Sequence, residues 1–202
     1  MRARKGWPLM IAVALAAADL ALAASASLAP GSRLWLEGDS SLHPYSSTAT
    51  AMEFSAAFGP GAPRSLPEAL ESQAPAEVTV RIPVGGLKSA HGRLDKNLRK
   101  ALKDDRFPDI VFVLTDYRVA KGSAAIVARG DLTVAGEKRP VTIEASLRVE
   151  NGRVVIEGRH ALRMTDFKVK PPTMMLGAIK TDDRVVVKFH LELLAGETGG
   201  ER

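Results

Sequence analysis

Three stretches of this chain alternate apolar and polar residues too regularly for a helix, and they decide its fold class. Val78, Val80, Ile82 and Val84 alternate with Thr79, Arg81 and Pro83. Val141, Ile143, Ala145, Leu147 and Val149 alternate with Thr142, Glu144, Ser146 and Arg148. Val185, Val187, Phe189, Leu191 and Leu193 alternate with Val186, Lys188, His190 and Glu192. A period of two sends successive side chains to opposite faces, so each run is a strand with one apolar and one wetted face. Less regular runs at Leu34–Ser41, Ser46–Phe58, Asp109–Tyr117, Ala124–Val134 and Arg153–Met164 bring the total to about eight. The connections Lys121-Gly122-Ser123, Ala135-Gly136-Glu137-Lys138 and Glu150-Asn151-Gly152-Arg153 are short, and the last carries the Asn-Gly pair of tight hairpins. Turns of this length leave no room for the crossover helices that parallel strands need. Eight antiparallel strands must close on themselves or stack as two sheets, and hairpins in sequence order favour an up-and-down barrel.

One helix breaks the alternation. Leu94, Leu98, Ala101 and Leu102 fall at i, i+4, i+7 and i+8, forming one apolar stripe between His91 and Lys103. The opposite face carries Arg93, Lys96, Arg99, Lys100 and Lys103, and Pro108 discourages helix at Phe107. From Lys88 to Arg106 seven Lys/Arg stand against three Asp, a net +4 in a chain whose total is +5. That is an electropositive face suited to steering an anionic head group or meeting a membrane surface. Residues 59–75 hold four of the twelve prolines and read as a loop with one turn around Pro67–Leu70. Residues 165–183 carry Pro171-Pro172 and Gly177 and form a loop long for a hairpin.

The chain's ends are expected to lie outside the fold. Residues 1–23 read as a cleaved signal peptide: a basic Arg2-Ala3-Arg4-Lys5 start, an apolar run from Leu9 to Ala18, and the small-x-small site Ala21-Leu22-Ala23. Asp19 ends the apolar run well short of the ~20 residues that span a bilayer. Residues 24–33 then form a disordered leader, 34–194 the barrel and 195–202 a flexible tail. The mature protein is expected in the periplasm or secreted.

Composition removes several classes of chemistry. With no cysteine there is no disulfide framework, thiol nucleophile or lipoprotein anchor. The four histidines, His43, His91, His160 and His190, are scattered, and no metal or cofactor is expected. Met164, Met174 and Met175 are better placed as fillers of irregular apolar gaps than as a copper(I) site. Asp39, Ser40, Ser41 and His43 lack the strand-to-helix elbow of a serine nucleophile, and satisfying a turn before Pro44 explains them. No catalytic residue is therefore assigned. Nucleic acid is not an expected partner, since only 5% of residues are aromatic and the basic residues form no dense stacking face. His160 falls in the row Val154, Ile156, Gly158, His160, Leu162 and faces inward, whereas His190 reads as solvated.

Three segments resemble the YceI-like family of exported, lipocalin-like proteins that bind polyisoprenoid lipids. Gly92-Arg93-Leu94-Asp95-Lys96-Asn97-Leu98, followed by Arg106-Phe107-Pro108-Asp109-Ile110-Val111-Phe112, is similar to the family's charged helix and the strand after it. Gly130-Asp131-Leu132-Thr133-Val134-Ala135-Gly136-Glu137-Lys138-Arg139-Pro140-Val141 is similar to its hairpin and is the most specific of the three. Met164-Thr165-Asp166-Phe167 through Lys180 fits its variable loop. Similarity runs from about Leu34 to Leu193, with a departure at Ser40-Ser41-Leu42-His43-Pro44-Tyr45, where the family has a His-Ser pair. The resemblance implies an all-β fold with one helix, an eight-stranded antiparallel lipocalin-like β-barrel. It also implies a non-enzymatic role with an isoprenoid or other lipid as ligand.

On that basis Phe112, Leu114, Leu132, Val134, Val141, Ile143, Leu147, Ile156, Leu162, Phe189 and Leu191 are the expected barrel lining. Arg93, Lys96, Arg99, Lys100 and His160 are the candidates for the head-group rim, with transient membrane contact through the helix. An eight-stranded barrel is just wide enough to keep one slender ligand. The alternative is a non-enzymatic envelope interaction module, stress-associated, in which the same side chains fill a solid core.

Overall fold

The computed structural model describes residues 25–120, 122–174 and 179–195. In chain order the strands and helices are β1 (Ser25–Leu28), β2 (Arg33–Ser40), β3 (Tyr45–Ala49), β4 (Glu53–Phe58), α1 (Leu66–Glu71), β5 (Ala76–Pro83), β6 (Leu87–Lys88) and α2 (Gly92–Leu102). They continue as β7 (Asp109–Val119), β8 (Ala125–Val134), β9 (Glu137–Glu150), β10 (Arg153–Arg163), β11 (Thr173–Met174) and β12 (Ile179–Ala195).

The pairing closes. Antiparallel ladders run β1-β4-β5-β7-β8-β9-β10-β12, and β12 returns to β1 with Ala26 opposite Ala195 and Leu28 opposite Leu193. That is a ring of eight strands. Its register is long where the alternation is cleanest: β8 and β9 pair from Ala125 opposite Ser146 to Val134 opposite Glu137. The turns between the long strands have the left-handed backbone that matches strand twist, with φ 49° and 83° at Ala135-Gly136 and 50° and 76° at Asn151-Gly152. The first three staves are broken rather than straight. Three breaks divide them: residues 29–32 separate β1 from β2, residues 50–52 separate β3 from β4, and a turn at Val84–Gly86 separates β5 from β6. Beyond the breaks β12, β2, β3 and β6 continue the wall, and α2 follows β6 against it.

Each end of the bore is stopped by its own buried cluster. At one end Leu66, Ala69 and Leu70 of α1 pack on Phe58, Tyr117, Leu147 and Val154. The Tyr117 hydroxyl donates to the carbonyls of Ala74 at 2.8 Å and Ala69 at 3.3 Å, fastening α1 to the wall. At the other end Leu102 and the partly buried Leu98 and Ala101 of α2 pack with Ile82, Val84, Leu87, Val134 and Phe167. In α2 the one acidic residue of the first turns, Asp95, points back to accept from the Ser89 amide at 2.8 Å and hydroxyl at 2.6 Å. Those bonds hold its carboxyl below the usual aspartate range. Lys103, at φ 56°, ends the helix.

The expectation of a disordered leader over 24–33 is corrected. Ser25–Leu28 forms β1, and Ala26 and Ala29 are buried. Without β1, the edges of β4 and of the end of β12 would be left with unpaired backbone groups, which is the physical reason for its order. The helix count rises to two, since the turn expected near Pro67 is α1, with a proline in its first turn. The loop at 165–183 is shorter than expected, because Met164–Phe167 is a 3-10 turn and β12 already begins at Ile179. The methionine side chains 174 and 175, the segment 1–23 expected as a signal peptide and the residues from 196 expected as a tail lie outside the described residues. Ser40 satisfies its turn as expected, accepting from the amides of His43 at 3.2 Å and Leu42 at 3.3 Å and donating to the His43 carbonyl.

Candidate functional site

Between the two plugs the barrel is hollow. The cavity has a volume of about 310 Å³ and reaches from Leu66 and Leu70 of α1 to Leu94, Leu98 and Leu102 of α2. Among the described residues its lining contains no lysine, arginine, aspartate or glutamate. The hollow arises from small residues on inward rows: Ala128 of β8, Ala145 of β9 and Gly158 of β10. At Gly158 an added Cβ would lie 2.5 Å from the Phe189 ring, and at Gly130 one would lie 2.5 Å from the Phe112 ring. Both phenyl rings therefore fold flat over a glycine instead of crossing the bore.

Nine of the eleven expected lining residues do line this cavity: Phe112, Leu114, Leu132, Val134, Ile143, Ile156, Leu162, Phe189 and Leu191. Val141 and Leu147 do not. Val141 is opposite Gly130, where the Phe112 ring already covers the wall, so the ring and not the valine meets the space. Leu147 belongs to the α1 plug, buried with Val154 and Tyr117.

The candidate rim residues separate into two groups. His160 lines the cavity, and burial pushes its imidazole below the usual histidine range. Arg93, Lys96 and Lys100 are exposed on the outer face of α2, and the half-exposed Arg99 lies 4.0 Å from Asp104. The helix turns its leucines inward and its cations outward, so the structure does not bring these charges to His160. Sequence patterning missed Tyr45, Met52, Phe54 and Thr181, which also line the space. Tyr45 sits in the row Tyr45, Ser47, Ala49, whose small residues carry no apolar alternation to reveal the inward face.

The outer wall carries a separate charged network. Arg148 donates to Glu157 at 2.6 and 3.1 Å, and Arg153 pairs with Glu192 at 2.6 Å. His190, read from sequence as solvated, is only 18% exposed in its side chain and faces Glu157 at 2.5 Å and Glu192 at 3.2 Å. The flanking long side chains cover it. Among the described residues no group of three His, Asp or Glu is arranged to hold a metal ion.

A closed antiparallel ring of eight strands around a hollow, apolar interior is a barrel of the lipocalin-like kind. The chain belongs to the YceI-like family, whose domain model matches residues 46–193. It is 31% identical over 110 residues to UPF0312 protein plu2095 of Photorhabdus laumondii, covering 50% of this chain and 56% of that protein. It is 30% identical over 102 residues to Protein YceI of Shigella flexneri, covering 46% and 52%. The matches thus span about half the length of the curated relatives. Among solved structures, Burkholderia cenocepacia BcnA superposes with a TM-score of 0.64 at 16% identity, covering 80% of this chain and 95% of BcnA. A polyisoprenoid binding domain from Saccharophagus degradans, implicated in plant cell wall breakdown, superposes with a TM-score of 0.63 at 11% identity, covering 87% and 99%. At these identities the likeness establishes the fold.

Proposed function

We propose that this protein is an exported carrier, holding a long-chain isoprenoid or related amphiphile inside its barrel. The observation that carries this reading is the bore itself, about 310 Å³ and, among the described residues, lined by no ionic side chain. That volume falls within the range of about 300–1,000 Å³ usual for small-molecule sites. Burying a lipid chain there returns ~0.8 kcal/mol per methylene. The polyisoprenoid binding described for the Saccharophagus degradans domain supports the same class of ligand. Export rests on the segment Met1–Ala23, and the mature chain starts at or near Ala24; N-terminal sequencing of protein recovered from the envelope checks this.

The basic outer face of α2 gives the carrier a way to approach a membrane. Residues 88–106 carry net +4, while residues 59–77, around α1 at the opposite end, carry net −2. The basic segment is the one suited to turn toward anionic lipid. Extraction of the purified protein with organic solvent, followed by mass spectrometry, tests the carrier role. A lipid at one per barrel is the expected result. An empty protein that takes up no added lipid would leave the interaction module instead.

A further inference from the structure

The ladders of the ring do not all run the length of their strands. At the α1 end, β5 and β7 pair only from Pro83 opposite Asp109 to Thr79 opposite Val113. Past that rung α1 fills the space, fastened by Tyr117 to the carbonyls of Ala69 and Ala74. β9 and β10 pair from Glu150 opposite Arg153 to Ala145 opposite Gly158. Both strands then run on toward the α2 end, β9 back to Glu137 and β10 on to Arg163, with no further rung between them. The two-residue turns at either end of β9 fix which groups face this opening. Glu137 is the bonded partner of Val134 and Arg153 that of Glu150, so even residues of β9 and odd residues of β10 face each other. Thr142 and Glu144 on one flank, and Arg159, Ala161 and Arg163 on the other, therefore turn backbone groups into the opening with no strand to pair them. Their side chains are exposed on the outer face. On the inner face, Ile143 of one flank and His160 and Leu162 of the other line the bore.

A wedge holds the flanks apart at the wide end. Phe167, in the 3-10 turn that follows β10, is 3% exposed and packs in one cluster with Val134 and Ala135 of the β8–β9 hairpin. The Asp166 carbonyl accepts from Arg139 Nε at 2.9 Å, and Lys168 pairs with Glu137 at 2.7 Å. These contacts tie the turn to the start of β9, so the flanks are joined at both ends of the opening and separate between. From Ala145 to Arg139 the β9 flank spans about 20 Å at the usual rise of a strand.

We propose that this lateral window is the route by which a chain-like ligand enters and leaves the bore, sideways between β9 and β10, with both helical plugs in place. The proposal rests on the carrier reading and deepens it. Opening either end exposes buried leucines to water: Leu66 and Leu70 with α1, Leu102 with α2. At the α1 end it also breaks the two bonds of Tyr117. Parting a paired ladder breaks backbone hydrogen bonds. The window has no rung to break, and its edge groups give up only water.

The chain contains no cysteine, so one introduced thiol can be labelled uniquely. Ala161→Cys, carrying a maleimide with a long polyethylene glycol chain, puts an obstacle on the window's edge. Thr142→Cys does so on the facing flank, and Lys96→Cys puts the same obstacle on the exposed face of α2. Stopped-flow fluorescence follows entry of all-trans-retinol, an isoprenoid whose own emission brightens in apolar surroundings, and its exit to excess vesicles of neutral phospholipid. Labels at Ala161→Cys and Thr142→Cys are each expected to slow entry and exit alike, by about tenfold, leaving the dissociation constant unchanged. A blocked route slows both directions equally, whereas a distorted barrel would change affinity. The label at Lys96→Cys is expected to change neither rate. Unchanged rates with both window labels, a changed affinity in their place, or equal slowing by the label on α2 would overturn the window. Failure of the unlabelled parent to take up retinol would overturn the carrier reading beneath it.

Discussion

At the scale of single residues, neighbours in sequence have opposite fates. Leu147 is 9% exposed in the α1 plug, while Glu144 of the same strand is exposed. Leu147→Arg is expected to destabilise the protein by roughly 3–5 kcal/mol, because it buries an unpaired charge and removes packing. Glu144→Arg is expected to cost about 0.5 kcal/mol or less. Urea unfolding midpoints separate the two. Glu157 makes a different prediction, in pH. Its hydrogen bonds from Arg148 and His190 hold the carboxyl at about 2, against an ordinary value of 4.5. Between those values the unfolded chain binds the proton and the folded one does not, so folding stability is whole above the upper value and is lost as pH falls toward the lower. Melting temperature measured across this window is expected to fall less steeply in Glu157→Gln than in the parent.

At the scale of elements, β1 and α2 have the clearest separable duties. β1 is only four residues long, yet it alone joins β12 to β4 and completes the ring. Deleting Ser25–Leu28 is expected to open the α1 end and speed amide exchange in the freed edges, Ala56–Ala57 and Leu193–Ala195. Hydrogen-exchange mass spectrometry reads this, and an unchanged exchange pattern would mean the seam is held by something else. For α2 the stripe that packs and the face that is charged are distinct. Reversing Arg93 and Lys96 to Glu is therefore expected to weaken sedimentation with vesicles of anionic phospholipid. Raised salt should do the same to the parent, since exposed charges are screened within about 8 Å at physiological ionic strength. Stability should move by about 0.5 kcal/mol or less per site.

At the scale of the whole molecule, filling the bore links binding to stability. A ligand that binds only the folded barrel raises its stability by about 2.7 kcal/mol when present at a hundred times its dissociation constant. Adding farnesol is accordingly expected to raise the melting temperature of lipid-stripped protein, by calorimetry. How far this could be foreseen divides along physical lines. Strand faces, hairpin turns and the amphipathic α2 were legible because period and turn chemistry are local, written in residues two to four positions apart. Nine of the eleven lining residues followed from that alternation. Val141 and Leu147 did not, because a face assignment says inside or outside but not at which depth, and depth depends on which ring or helix lies across the strand. The ordering of β1 was equally hidden, since Ser25–Leu28 has little pattern of its own and is held by two partners distant in sequence. Tyr45 and His160 come to one end of the bore only through the registers of β3, β2, β12 and β10. Alternation along one strand decides which way a side chain faces; only closure of the ring decides what it faces.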